Sequence, residues 1–397
     1  MPSLKQTLKK AKVPKKPSSQ EPVWKGPEDD GPRGGITQSM LSNFIVCRER
    51  FRLRVIEGLD LAPSFNHRME YGSMWHVCEE ALASYDSRTG TQILSVTVEN
   101  TLKAYCKSLC EKYRLQQEQI VHWMNVCNAQ FPAYINYWRS HPDVKERTPL
   151  LQEQVFHVPY KLPSGRVVYL RGKWDSVDLI GKGKNAGVYL MENKTKGDIK
   201  EEVLRRQLQS GFDLQTMLYL VALTQQFPPG TKCLPPKAWD NGIHGVRYNV
   251  IRRPLAGGKY GISQYKPSKS NPTGETPEEF YVRLGGLIRE DPSWFFMRWK
   301  VEVSQADIQR FCVQCLDPLL EQLCEWWYVM THGGDLFGAM GGQSWIDRDY
   351  QAPIHWRTPY GIWNILAEGG NAEVDEYLNT GSDLGLVRGV PLFPELQ

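Results

Sequence analysis

The sequence predicts an α/β (α+β) fold, in which helices flank a mixed central sheet and an N-terminal helical region precedes it. Three observations support this prediction. Apolar residues recur at helical spacing from Thr37 to about Arg147. From Leu151 to Lys194 the chain is rich in strand-forming residues and is interrupted by the turn Pro163-Ser164-Gly165. After residue 200, helical and extended patterns alternate.

The composition indicates one large domain or two closely packed ones. The chain has 397 residues, and its 41% hydrophobic content is sufficient for a packed core. No apolar run approaches the roughly 18 residues that a membrane span needs, and no signal peptide opens the chain. We therefore expect a soluble, cytoplasmic protein with no membrane partner. The net charge of +4 is modest, so any affinity for nucleic acid must come from local patches.

Residues 1–35 are predicted to be a disordered basic arm. Its lysines come before the first acidic residue, Glu21, and a Pro- and Gly-rich stretch extends to Gly35. The arm could contact phosphates without sequence preference, and a solubilising tail explains it equally well. The lysines are Lys5, Lys9, Lys10, Lys12, Lys15 and Lys16.

Residues 36–150 are predicted to form the N-terminal helical region. One of its helices is opened by the segment Met69 to His76, with an apolar stripe behind it. A lone histidine at a helix start usually packs or caps, so His76 carries no role by itself. The predicted core positions of the region are Leu41, Phe44, Phe51, Leu102, Tyr105, Leu109, Trp123, Tyr134 and Trp138.

Residues 151–304 are predicted to form the central core. A long helix from about Glu201 to Leu223 follows the first strands, and Gln215 and Tyr219 share one of its faces because they are four residues apart. The later predicted elements are a strand (Gly245 to Arg252), a helix (Pro277 to Arg289) and a strand (Phe295 to Val303). Residues 305–397 are predicted to add a helix, to about Met330, and an irregular tail packed on the core.

The segment Pro254 to Thr276 is predicted to be a long exposed loop, because it is rich in Gly, Pro and Ser. It is basic and contains two tyrosines among its cations. A loop that contacts DNA and a loop that is merely solvated both explain this composition.

The most informative residues are Asp175, Glu192 and Lys194, which lie on two probable neighbouring strands. Glu192 and Lys194 are two residues apart in an extended segment, so their side chains point to the same face. The apolar run Val188 to Met191 leads directly into Glu192 and predicts a strand that is covered on both faces. Charges at the end of a buried strand are costly unless they are paired or bind a metal. The triplet therefore indicates a site for a hard divalent cation and a phosphate.

Two further acidic residues lie near the triplet. Asp178 is three residues beyond Asp175, an odd offset that places it on the other side of the strand, and we interpret it as structural. Glu153, on the first strand, could support the site from behind or could be a solvated strand acid, and the sequence leaves both readings open.

In these residues the chain resembles the PD-(D/E)XK nuclease superfamily, and specifically its RecB-like branch, which includes phage exonucleases and nucleases of CRISPR adaptation. The resemblance runs from about Ile36 to Tyr219, with weaker similarity beyond it. It depends on four motifs in the right order, each weak alone. They are His76 in an N-terminal helix, Gly172 to Asp175, Glu192 with Lys194, and Gln215 with Tyr219.

The resemblance implies a restriction-endonuclease-like core and a role for each motif residue. Asp175, Glu192, His76 and the backbone carbonyl of Asn193 would hold Mg²⁺ or Mn²⁺, and the imidazole tilts the site somewhat toward Mn²⁺. Lys194 would orient the attacking water or stabilise the transition state. Gln215 and Tyr219 would brace the site or contact the DNA backbone.

Nine cysteines without a secretory signal indicate reduced thiols. Some relatives in the RecB-like branch carry a four-cysteine iron–sulfur cluster, and Cys47 stands where the first ligand would be. The chain has no cysteine after Cys324, and the apolar helical spacing around Cys312 and Cys315 already explains those residues as core. We therefore expect no iron–sulfur cluster.

The leading functional interpretation is a metal-dependent DNA nuclease, specifically an exonuclease of recombination, repair or replication. Its partners would be DNA and a recombination or replication protein, and its location the bacterial cytoplasm if a phage encodes it. A structure- or sequence-specific endonuclease and an inactive DNA-binding module are the alternatives. The intact set of Asp175, Glu192 and Lys194 argues against the inactive module.

Overall fold

The computed structural model describes residues 23–332 and 386–387, apart from residues 47, 57, 59, 62–63, 84–90, 140, 142–146, 183–185, 198–199, 204–205, 207–212, 229–241, 256–261 and 271. Within these residues the α-helices are α1 (Gln38–Val46), α2 (Arg48–Phe51), α3 (His67–Ala83), α4 (Thr91–Lys112), α5 (Gln117–Arg139), α6 (Leu214–Gln226), α7 (Pro277–Glu290), α8 (Pro292–Phe295), α9 (Gln305–Phe311) and α10 (Asp317–His332). The strands are β1 (Asp60–Leu61), β2 (Arg147–Lys161), β3 (Val167–Ile180), β4 (Gly187–Lys196), β5 (Ile243–Arg252), β6 (Phe296–Glu302) and β7 (Leu386–Val387).

The central sheet has five strands in the order β2-β3-β4-β5-β6. β4 and β5 are parallel, and the other neighbours are antiparallel, so the sheet is mixed as predicted. The predicted turn after β2 is present, and Gly165 takes the positive φ of 90° that this tight connection needs. A small antiparallel pair of β1 and β7 lies outside this sheet.

Helices cover both faces of the sheet, and each face has its own hydrophobic core. On one face, β4 and β5 contribute Leu190 and Val250 to a core shared with α1, α6 and α10. Ile251, the next residue of β5, belongs to the second core, shared with α3, α4, α5 and α7. Adjacent residues of a strand point to opposite faces, so the two cores sandwich the sheet. The predicted fold class is confirmed.

The helix predicted from Glu201 to Leu223 is not continuous, because residue 213 is not helical and a separate helix begins after it. α6 begins at Leu214, where the Asp213 side chain caps it by accepting the Thr216 N–H at 3.2 Å. Residues 201–203 are helical, and residues 207–212 lie outside the described residues. An N-cap aspartate marks the start of a helix, so Asp213 separates α6 from the helical residues that precede it.

The boundary predicted for the N-terminal arm is also corrected. Trp24 is only 2% exposed, packs against Phe51 and Trp327, and donates its ring N–H to the Gly35 carbonyl. Residues 23–35 are therefore ordered against the core, whereas the lysines of residues 1–22 lie outside the described residues, as does most of the predicted C-terminal tail.

Candidate active site

Glu192 and Lys194 lie side by side on β4, as their spacing predicts. Lys194 Nζ donates to Glu192 Oε2 at 3.0 Å and contacts Gln215 Oε1 on α6 at 3.3 Å. Glu192 is 1% exposed, and its other oxygen, Oε1, has no hydrogen-bond partner among the described residues. A buried carboxylate oxygen without a donor is costly in a protein interior, and it is suited to binding a cation.

Asp175 lies where β3 and β4 separate. The ladder between these strands ends at the pair Ser176–Met191, so Asp175 is one step beyond it, in register with Glu192. Beyond the end of the ladder, the Asp175 side chain serves as the acceptor for the β4 backbone: its Oδ2 accepts the N–H of Asn193 at 2.8 Å. The structure thus brings the Asn193 backbone to the site through its amide, and a role for its carbonyl stays a prediction.

His76 reaches this cluster from α3. Its Nδ1 is 3.5 Å from Asp175 Oδ1 and 3.9 Å from Glu153 Oε1. A glycine permits the close approach of α3 to the sheet, since a Cβ at Gly72 would lie 3.0 Å from Thr195 Oγ1 on β4. His76 therefore belongs to the cluster and is not simply packed within the helical region.

Glu153 joins the cluster, a placement that the sequence left open. The pairs Gln152–Ser176 and Gln154–Trp174 set its register opposite Asp175, so Glu153, Asp175 and Glu192 form a row across three strands. Its backbone has φ 46°, a left-handed conformation that is uncommon for a residue other than glycine. Its side chain is 8% exposed, and its Oε2 forms an ion pair with Lys173 Nζ at 2.7 Å.

The acids and bases of the site shift one another's proton affinities. Burial raises the pKa of Glu192 to about 7, with Asp175 adding to the rise and Lys194 opposing it. Burial alone would lower the pKa of His76, but Asp175, Glu153 and Glu192 outweigh it and raise this pKa to about 9. The pKa of Glu153 is lowered despite its burial, because His76 and Lys173 bind its carboxylate. When His76 is neutral, as a metal ligand must be, the three carboxylates outnumber Lys173 and Lys194, and a bound metal ion would offset the difference.

The donor set fits a divalent cation. Ligand atoms of His76, Glu153 and Asp175 all lie within 4.8 Å of one another. Glu192, on the neighbouring strand, is not part of this group of three, although its Oε1 has no hydrogen-bond partner among the described residues. Carboxylate oxygens with one imidazole suit Mg²⁺ or Mn²⁺.

Gln215 and Tyr219 stand behind Lys194, one turn apart on α6. The Tyr219 side chain is hydrogen-bonded to Gln215, which in turn contacts Lys194. The Tyr219 ring packs on Phe156. A Cβ at Gly172 would collide with the Phe156 ring at 2.5 Å and would lie 3.0 Å from the Tyr219 ring. The glycine of the Gly172–Asp175 motif thus makes room for Phe156 and for the tyrosine that packs on it.

Asp178 and Asp213 lie outside the row of carboxylates. Asp178 is fully buried and accepts from Arg147 at 2.7 Å and from Ser176 at 2.6 Å, as suits the structural role predicted for it. Asp213 was missed. Besides capping α6 it accepts from Tyr248 at 2.7 Å, and its charge helps to raise the pKa of Lys194 above its usual value against the effect of burial. Its position just before an apolar helical pattern was a signal for a cap.

The described cysteines that were considered as iron–sulfur ligands pack in the hydrophobic core. Cys312 and Cys324 belong to the core that contains α6, and Cys315 packs against it. Cys47 lies outside the described residues. The absence of a cluster remains a prediction.

Comparison with known proteins confirms the resemblance to the superfamily. A model of the PD-(D/E)XK nuclease superfamily matches residues 36–311, a range that includes each proposed site residue. A search of curated proteins found no match. No helix in the described part of the chain is both long and apolar enough to cross a membrane.

Proposed function

Because this chain belongs to the PD-(D/E)XK nuclease superfamily, we propose that it is a metal-dependent deoxyribonuclease that hydrolyses phosphodiester bonds. The observation that carries the proposal is the contact between Lys194 and Glu192 beside an unpartnered carboxylate oxygen. An ammonium group beside donors for a cation is suited to phosphodiester hydrolysis, because both positive charges can stabilise negative charge on the phosphate.

We propose that His76, Asp175, Glu192 and the carbonyl of Asn193 hold Mg²⁺ or Mn²⁺, with Glu153 as an additional carboxylate. When bound, the ion neutralises charge on the scissile phosphate and acidifies a water molecule. Asp175 is fixed for this task by the Asn193 amide, and Glu153 by Lys173. Side chains held by such contacts need little rearrangement when the ion binds.

We propose that Lys194 binds the attacking water or the developing negative charge. Glu192 and Gln215 both hold its ammonium group, and the charges of Glu192 and Asp213 raise its pKa against the effect of burial. Because the Lys194 side chain is only 15% exposed, the ammonium works in surroundings where electrostatic interactions are stronger than in water.

Within this activity we propose exonucleolytic cleavage in DNA recombination, repair or replication, together with a protein of one of those processes. This finer proposal is supported by the four motifs that resemble the RecB-like branch. Endonucleolytic cleavage is the competing outcome.

The test compares an end-labelled linear duplex with covalently closed circular DNA, in Mg²⁺, in Mn²⁺ and in chelator. We expect metal-dependent loss of the linear DNA and survival of the circle. Nicking or linearisation of the circle would establish an endonuclease.

Glu192→Gln should abolish either activity, whereas the exposed Glu99→Gln on α4 serves as the matched control. Full cleavage by a folded Glu192→Gln protein would remove the proposed site, and no cleavage by the wild type would support an inactive DNA-binding module.

A further inference from the structure

A group of cations lies at the end of β4 and β5, beyond the candidate active site. Lys196, the last residue of β4, is in register with Arg252, and the N–H of Arg253 donates to the Lys196 carbonyl at 2.9 Å. Arg253 also reaches across to α3, where its Nη1 donates to the Arg68 carbonyl at 3.3 Å. Arg68 and Arg253 lie on the face of the sheet that α3 covers, whereas the Lys196 side chain starts on the opposite face, because Thr195 before it contacts α3. We call Arg68, Lys196 and Arg253, which surround these strand ends, the basic cluster.

The basic cluster has no acidic counterpart in the described part of the chain. Arg68 and Lys196 are exposed, Arg253 is half-buried, and none of the three forms an ion pair with a described carboxylate. The pKa of Arg253 is lowered by burial and by Arg68. The pKa of His67 is lowered by burial and by the same two arginines. Burial is the larger cause of both shifts, and the neighbouring arginine charges add to it, so these groups also repel one another, a cost that an anion would relieve.

The cluster is aligned with the candidate active site along two elements. On α3, Arg68 precedes His76 by two turns, a distance of about 12 Å. On β4, Lys196 shares a face with Lys194 and Glu192 and lies about 7 and 13 Å from them along the strand. The close contact of Gly72 with Thr195 joins the two elements between these points. Both paths thus give the same separation, which spans roughly two to four nucleotides of one strand.

A flat aromatic surface borders the cluster. The His67 ring stacks on Trp123, with centroids 4.9 Å apart and planes 12° from parallel. Cations interleaved with stacking surfaces are typical of nucleic-acid binding, because phosphates contact the charges and bases contact the rings.

We propose that the basic cluster binds backbone phosphates of the nucleic-acid strand whose scissile phosphate lies at the candidate active site. The inference rests on the proposed nuclease function and adds where the substrate continues. It also gives a role to Arg253, which begins the basic loop that the sequence left open between DNA contact and solvation. The nucleic-acid strand would run from the row of carboxylates along β4 and α3 to Arg68, with His67 and Trp123 beside it.

The test measures binding of a fluorescein-labelled single strand of about 12 nucleotides by anisotropy, in chelator and over a series of salt concentrations. The variant carries Arg68→Gln, Lys196→Gln and Arg253→Gln. Its slope of log K against log salt should be shallower by about 2 to 3, because each lost phosphate contact removes roughly 0.7 to 1. The control variant, Lys103→Gln with Lys161→Gln and Arg310→Gln, loses the same charge elsewhere and should keep the wild-type slope.

Equal slopes for the two triple variants would overturn the inference, since the effect would then be one of net charge alone. A cluster variant with the wild-type slope would overturn it as well. Failure of the proposed function looks different, because the wild type would then show no metal-dependent cleavage at all. Thermal denaturation of each variant checks that it is folded.

Discussion

The two halves of the candidate active site are built in different ways. Glu192, Lys194 and Gln215, which we call the lysine half, come from one strand and the helix that follows it. His76, Glu153 and Asp175, the histidine half, come from three separate elements and are brought together by strand register and by the approach of α3. The lysine half is buried and internally hydrogen-bonded, whereas His76 is 35% exposed and its distances of 3.5 and 3.9 Å are longer than hydrogen bonds.

This difference suggests a division of labour. A preorganised ammonium group acts mainly on the transition state. Donors that converge on one point act mainly by binding an ion. We therefore expect changes of Lys194 or Gln215 to reduce turnover and changes in the histidine half to reduce ion affinity, whereas Glu192, as a proposed ligand, contributes to both.

The largest effect is expected for Lys194→Gln. It removes the ammonium group but keeps a polar side chain beside Gln215, so kcat for DNA cleavage should fall on the order of 10²-fold or more. Binding of Mn²⁺, followed by calorimetry, should change little. Lys103→Gln on α4 is the control for a lost lysine. Cleavage within a few-fold of wild type would show that Lys194 has no part in the reaction.

The next largest effect is expected for His76→Ala. Loss of one donor should weaken Mn²⁺ affinity by roughly 10- to 100-fold, the range found when groups around a metal are removed. At saturating Mn²⁺ much of the cleavage rate should return, which would not happen for Lys194→Gln. If the variant instead lost thermal stability and kept its metal dependence, His76 would be a packing residue and the proposed division would fail.

The lysine half was readable in the sequence because its signals are local. A two-residue offset on a strand placed Glu192 beside Lys194, and a four-residue offset on a helix placed Gln215 beside Tyr219; both relations are present. His76 entered only through the resemblance to a family, because a single histidine on a helix carries no signal of its own.

Glu153 shows what local signals cannot supply. Its position depends on the register between β2 and β3 and on a left-handed backbone conformation, which the residues next to it in the sequence do not predict. The same limit explains two other errors. Apolar spacing extended a helix through Asp213, which in fact caps it, and the Pro- and Gly-rich composition near the N-terminus concealed the anchoring effect of Trp24.

A smaller effect is expected from pH in the metal-free protein. His76 has its pKa raised from 6.5 to about 9, so its stabilising contribution is present below pH 6.5 and is lost as the pH rises to 9. Glu192 has its pKa raised from 4.5 to about 7, so the protonated acid is favoured in the fold, and stability again falls as the pH rises from 4.5 to 7. Both groups act in the same direction.

The melting temperature in chelator should therefore fall between pH 5 and 9, by about 2–4 °C for each kcal/mol lost. Saturating Mn²⁺ should flatten this fall, since the ion replaces the proton as the partner of the carboxylates. In His76→Gln the fall above pH 7 should be reduced, because the group that titrates there is gone. A metal-free protein whose stability rises over this range would contradict the charge arrangement of the site.

The smallest effect separates the strain at Glu153 from its charge. Glu153→Gln and Glu153→Gly both remove the carboxylate and should weaken Mn²⁺ affinity alike. Only glycine relieves the φ of 46°, a conformation that costs an L-residue about 1–2 kcal/mol. Against this gain stands the extra chain entropy of glycine, about 0.5–1 kcal/mol. The net gain of about 0–1.5 kcal/mol predicts that the glycine variant melts at the same temperature as the glutamine variant or up to about 6 °C above it, while both bind the ion equally weakly. If the glycine variant melted at a lower temperature than the glutamine variant, the backbone at Glu153 would not be strained. The carboxylate of Glu153 would then be its only contribution to the site.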